Sequence, residues 1–74
     1  MSKKTTNHEN AQSTFIAKKA EIDVILARLQ NLSADHFAVD PDKVDWGDVG
    51  TIGHVLDYLQ EASDFIFHEG EYAR

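Results

Sequence analysis

Two segments with the apolar periodicity of an α-helix contain most of the large apolar side chains of this 74-residue chain. The first segment runs from about residue 11 to residue 32. On a helical wheel with about 100° per residue, six of its large apolar side chains fall within an arc of about 120°. The spacing therefore predicts an amphipathic helix with one apolar face, formed by Phe15, Ile22, Ile25, Leu26, Leu29 and Leu32.

The second segment runs from about residue 49 to residue 68, and its apolar positions spread over about 200° of the wheel, wider than one partner helix requires. Neither segment shows the alternation of a β-strand, so the sequence predicts an all-α fold. We expect an antiparallel helical hairpin that completes a four-helix bundle by homodimerisation. The predicted oligomer interface, called here the apolar face of the second helix, consists of Ile52, Val55, Leu56, Leu59, Phe65 and Ile66.

The connection between the two predicted helices, residues 33–48, is sixteen residues long, and structureless connections of that length are uncommon in small domains. Asp40 and Pro41 form a typical helix start, which predicts a short helical turn at residues 41–45. Trp46 is predicted to anchor the connection by packing near Gly50 and Gly53. A glycine inside a helix costs about 1 kcal/mol relative to alanine, so close packing against its bare backbone would explain its presence.

Residues 1–10 are almost wholly polar and are predicted to form a flexible arm, with residues 11–74 as a single helical domain. The first helix also carries small side chains on the side opposite its apolar residues. Two interpretations of these side chains remain open: they allow close approach of another helix, or they are good helix formers on a solvated face. The residues concerned are Ala17, Ala20, Val24 and Ala27.

Composition excludes several classes of protein. The chain has no cysteine, so disulfides and thiolate metal sites are impossible. Its net charge of −6 opposes binding to nucleic acid or to an anionic membrane surface. No apolar run approaches the roughly 20 residues that span a bilayer, and no apolar stretch follows the basic start as in a secretory signal. The expectation is a cytoplasmic protein.

One polar stripe along the second helix, called here the acidic stripe, contains His54, Asp57, Glu61, Asp64 and His68. Histidine and carboxylate side chains three or four residues apart can share a metal ion. The stripe lies almost opposite the apolar side of the wheel, and no Glu-x-x-His pair of a di-iron bundle occurs. We therefore interpret the stripe as a solvated face. No cofactor, metal or catalytic residue is predicted.

Charge is distributed unevenly along the chain. Residues 1–32 carry a net charge of +2, whereas residues 33–74 carry a net charge of −8. We expect a small acidic protein-interaction or regulatory module that acts as a homo-oligomer without catalytic activity. Its candidate surface for a basic protein partner is formed by Asp57, Glu61 and Asp64. The alternative is a metal-binding helical bundle or a metal-dependent enzyme, with the acidic stripe supplying the ligands.

Overall fold

The computed structural model describes the backbone of residues 3–74 and the side chains from residue 8 onward. The chain divides into two units, and the boundary between them along the sequence falls between Ala38 and Val39. Every element of the described backbone is helical, which confirms the all-α prediction, and none of these helices is long and apolar enough to cross a membrane. The elements are the α-helix α1 (Lys3–Ala34), 3-10 turns at His36–Ala38 and Pro41–Lys43, the α-helix α2 (Trp46–Phe67), and a 3-10 turn at Gly70–Tyr72.

Helix α1 begins at Lys3, well before the residue-11 start that the apolar periodicity indicates. The reason is that the chain contains no glycine or proline before Pro41, so nothing in the polar segment stops the helix from extending toward its N-terminus. Residues 3–10 of the predicted arm are thus helical backbone, while its first two residues lie outside the described part of the chain. On the surface of α1, Lys19 Nζ lies 2.6 Å from Asp23 Oδ2, one helical turn away.

The first unit ends in three successive residues with left-handed backbone. His36, Phe37 and Ala38 have φ values of 56°, 54° and 61°, and the Ala38 N–H donates to the Asp35 carbonyl at 3.0 Å. For residues with a Cβ atom this conformation costs roughly 1–2 kcal/mol each. Helix α1 therefore ends abruptly at Ala34 and does not continue into the second unit.

The connection contains the helix start that the sequence predicts at Asp40 and Pro41. The Asp40 side chain accepts a hydrogen bond from the Asp42 N–H at 3.0 Å, and Pro41 occupies the first position of the turn. The Lys43 N–H donates to the Asp40 carbonyl at 2.9 Å. The turn at Pro41–Lys43 is a 3-10 turn that ends two residues before the predicted residue 45.

Helix α2 begins at Trp46 because Asp45 and Asp48 cap its first turn reciprocally. The Asp48 N–H donates to Asp45 Oδ1 at 2.8 Å, and the Asp45 N–H donates to Asp48 Oδ2 at 3.1 Å. Such a capping box satisfies two backbone donors that a helix start leaves without intrahelical partners. Helix α2 therefore starts three residues before the position that apolar periodicity indicates.

Candidate functional site

The candidate site is the surface of α2, where the predicted interface and the acidic stripe lie on nearly opposite sides of the helix. Five of the six residues of the apolar face fall within an arc of about 100° on the helix. Most of these side chains are exposed in the single chain: Leu56 is 62% exposed and Ile66 is 66% exposed. Val55 is half-buried. Helix α2 thus carries a continuous apolar surface that its own unit does not bury.

Phe65 is the sixth residue of the apolar face, and it lies outside the arc of the other five. Its ring packs edge-on against the ring of Tyr72, with the centroids 5.2 Å apart and an interplanar angle of 86°. Edge-to-face packing at this distance is a favourable geometry for two aromatic rings. Phe65 therefore has a partner within its own unit, in addition to the interface role that the sequence predicts for it.

A turn after α2 brings Tyr72 back to the helix. Helix α2 is closed by His68, whose φ is 57°, and the Glu69 N–H donates to the Asp64 carbonyl at 2.8 Å. Gly70 follows with φ of 55°, in the left-handed region that favours glycine. A Cβ atom at Gly70 would lie 2.7 Å from Asp64 Oδ2, so the Asp64 side chain would have to move to make room for it.

Two carboxylates of the acidic stripe are held by this turn and by the helix. The Tyr72 hydroxyl donates to Glu61 Oε1 at 3.1 Å, and Gln60 Nε2 donates to Asp64 Oδ1 at 3.0 Å. Asp57 forms no side-chain hydrogen bond with another described side chain. The three candidate partner-binding residues lie on one side of α2, but Glu61 and Asp64 also support the end of the helix.

The contact with Glu61 changes the acidity of Tyr72. The carboxylate accepts the phenolic proton in a hydrogen bond, and its negative charge opposes formation of the phenolate, so the pKa of Tyr72 is raised above its ordinary value near 10. The neighbouring Glu71 acts in the same direction.

Apolar periodicity did not indicate a role for Tyr72 or Gly70. The signal for this turn was a glycine shortly after the end of a periodic segment, which is typical of a helix C-terminus.

The acidic stripe does not form a metal-ligand cluster in the described chain. No three histidine, aspartate or glutamate side chains in the part of the chain that the structure describes come close enough to hold one ion. His54 and His68 lie at opposite ends of the stripe, about 21 Å apart at the 1.5 Å rise of a helix.

Trp46 is the first residue of α2, and its side chain is 86% exposed in the single chain. Helical side chains point toward the N-terminus of their helix, so Trp46 projects away from Gly50 and Gly53. A Cβ atom at either glycine would meet nothing within 4 Å. The predicted packing of Trp46 near these glycines is not seen in the single chain, and it stays a prediction.

No protein-family model, curated protein or solved structure matches this chain.

Proposed function

We propose that this chain is a small helical protein-interaction module that self-associates through the apolar face of the second helix and presents its acidic stripe to a basic protein partner. In the assembly, each chain forms an antiparallel hairpin of α1 and α2, and two hairpins form a four-helix bundle. The proposal assigns no catalytic step to the protein.

The exposed apolar surface of α2 carries this proposal. None of the described side chains is buried, although large apolar residues occur along both helices. A chain of this size needs a core, a metal, disulfides or a partner chain for stability, and disulfides are impossible without cysteine. Contiguous exposed apolar surfaces mark sites of protein association. Burial of the α2 surface against a second chain supplies the missing core.

The charge of the second unit supports a basic partner. Residues 33–74 carry a net charge of −8, and Asp57 is an exposed carboxylate on the side of α2 away from most of the apolar face. Complementary charge on a partner raises the rate of association. This increase depends on salt, because the screening length is about 10 Å at 0.1 M ionic strength. The acidic stripe is therefore a surface for initial encounter with a positively charged protein.

Self-association is tested by inserting a charge into the apolar face. Leu59→Asp should dissociate the oligomer, because an unpaired carboxylate in an apolar interface loses its hydration without compensation. His54→Asp is the matched control, since it places the same group on the opposite side of the same helix. Mass measurement by light scattering should give a multiple of 8.3 kDa for the native chain and the control. A native chain that is folded and monomeric at micromolar concentration contradicts the proposal.

The acidic stripe is tested by removing its charge while keeping its hydrogen bonds. Asp57→Asn, Glu61→Gln and Asp64→Asn together retain oxygen acceptors for Tyr72 and Gln60. The matched control removes three carboxylates elsewhere, at Glu9, Asp35 and Asp42.

Binding of a labelled oligolysine peptide, followed by fluorescence anisotropy at low and high salt, should weaken more in the stripe variant than in the control. Equal weakening in the two variants would show that net charge alone attracts the peptide and that the stripe has no special role.

A further inference from the structure

Helix α1 carries a regular seam of its own, apolar at every position except Lys18. The seam follows alternating steps of three and four residues along an unbroken helix, the a and d positions of a heptad repeat. Phe15 at its start is 70% exposed, and Leu29 is the half-buried member. A shallow groove lies at its C-terminal half, lined by Ile25, Arg28, Leu29 and Leu32 among others. The seam consists of Phe15, Lys18, Ile22, Ile25, Leu29 and Leu32.

We propose that this seam binds α1 of a second copy of the chain in the antiparallel direction, in the register that places Glu21 beside Arg28 of that copy. In this register Phe15 lies across from Leu32 and Ile22 lies across from Ile25 of the second copy. The steps of the seam read the same in both directions, so a two-fold axis matches every seam position with another one. Such an isologous contact is the usual form of a homodimer interface.

The charges that border the seam select this register. Glu21 and Arg28 are one heptad apart on the same edge, the g positions, which face each other in antiparallel coiled coils. Because the two-fold axis passes near the midpoint between Glu21 and Arg28, each dimer contains this Glu–Arg pair twice. Neither residue forms an ion pair with another side chain from residue 8 onward, so both are available.

A shift by one heptad in either direction removes the complementarity. One shift places Arg28 beside Arg28 of the second copy and Glu21 beside Asp35. The other shift places Glu21 beside Glu21 of the second copy. Like charges in such positions destabilise the contact, so of these three registers only the first has unlike charges at this edge.

The parallel arrangement is disfavoured for a different reason. In a parallel dimer, each g position faces the following e position, which pairs Glu21 with Leu26 and leaves Arg28 beside Ser33. It also stacks Lys18 on Lys18 of the second copy inside the seam, whereas the antiparallel register places Lys18 across from Leu29. Lysine can extend its charged end past an apolar neighbour into water.

The opposite edge of α1 is neutralised within the helix. Lys19 and Asp23 form an intrahelical ion pair at 2.6 Å, so they make no competing demand on a second copy. A control charge reversal should leave this ion pair and the Glu21 edge unchanged, and Glu9, which lies on α1 before the seam begins, meets both conditions.

This inference rests on the proposed function only for the self-association of the chain, and it adds a second contact, made by α1. The test uses charge reversal in the full chain. Glu21→Arg and Arg28→Glu should each raise the dimer dissociation constant about tenfold, since each replaces two attractive pairs with repulsive ones. The combined variant should return within about twofold of the native chain.

Net charge alone predicts a different pattern. Glu21→Arg lowers the net negative charge and Arg28→Glu raises it, so general repulsion between two acidic chains would strengthen one dimer and weaken the other. Glu9→Arg, with the same change in charge as Glu21→Arg, should leave the dissociation constant within about twofold. Sedimentation equilibrium measures all five chains, and circular dichroism verifies that each is helical.

A distance measurement tests the direction independently of these variants. The chain has no cysteine, so Ser13→Cys accepts a single spin label on the outer side of α1. The antiparallel register separates the two labels by more than about 31 Å, counted at 1.5 Å per residue. A parallel pair holds them within about 25 Å, roughly the width of two helices side by side.

A dimer that keeps its affinity in both single variants, or whose double variant is not restored, overturns the inference and leaves the proposed function standing. A distance below 25 Å between the two labels would likewise overturn the inference and leave the proposed function standing. A native chain that is monomeric at every concentration overturns both proposals.

Discussion

Alanine at two glycines of α2 tests whether anything packs against the bare backbone of this helix. Gly50 and Gly53 lie inside the helix, and a Cβ atom at either position meets no other atom within 4 Å in the single chain. Each Gly→Ala change should therefore add about 0.8–1.0 kcal/mol of stability, the difference in helix propensity. Together they should add about 2 kcal/mol.

The measurement is thermal unfolding of the full chain followed by circular dichroism at two protein concentrations. For a domain of this size, 1 kcal/mol shifts the midpoint by about 4–8 °C if unfolding is two-state. The gain should be the same at both concentrations if the glycines face open space. A gain that shrinks at the higher concentration would show that a second chain approaches the glycine backbone.

A loss of stability in Gly53→Ala would refute the reasoning from open space and favour the predicted contact with Trp46. The two explanations for such a loss separate in a double-mutant cycle. If Trp46 occupies the space, Gly53→Ala should become stabilising in a Trp46→Ala background. If a second chain occupies it, the loss should persist in that background and vanish on dilution.

Three further changes test the ends of α2. Asp45→Ala should lower the stability of α2 by about 1 kcal/mol through loss of the capping box, as read from thermal unfolding, whereas Asp45→Asn should retain most of it. Gly70→Ala should open the C-terminal turn, because left-handed backbone costs alanine roughly 1–2 kcal/mol, and the aromatic NMR shifts of Tyr72 should move toward those of an unpacked ring. In a Tyr58→Phe background, ultraviolet absorbance should give Tyr72 a titration midpoint above 10, which Glu61→Ala should lower. Since folding raises this pKa, the stabilisation from the contact is present below pH 10 and is lost as pH rises through the folded pKa.

Periodicity identified both helices and placed their C-terminal ends within two residues, but it missed their starts, because burial of a face and the start of a helix depend on different interactions. The apolar spacing of Ile52, Leu59 and Ile66 reflects burial along one side, which says nothing about the first turn. The start of α2 depends on hydrogen bonds between Asp45 and Asp48, and that pair was readable as a capping box before Gly50. The inclusion of Lys3 in α1 is consistent with the absence of glycine and proline before Pro41, a weaker signal than a cap.

The contacts of Tyr72 could not be predicted from spacing. Glu61 is eleven residues away and Phe65 is seven residues away, so both contacts depend on the reversal of the chain at His68 and Gly70. The sequence indicated that a helix ends near His68, but not that the following turn would fold back on it. The acidic stripe was predicted as a single solvated face, and this turn gives Glu61 a local structural role.

The proposed self-association would couple folding to association in a chain with this distribution of apolar side chains. Helices in water are marginal by themselves, and most helical stability in proteins comes from packing of an amphipathic face. The seam of α1 and the apolar face of the second helix are both exposed in the single chain, so neither unit provides that packing internally. Binding of a second copy to the folded form shifts the folding equilibrium by mass action. The helical content of this protein should therefore fall on dilution together with its mass, and the dissociated chain should unfold at a lower temperature than the oligomer.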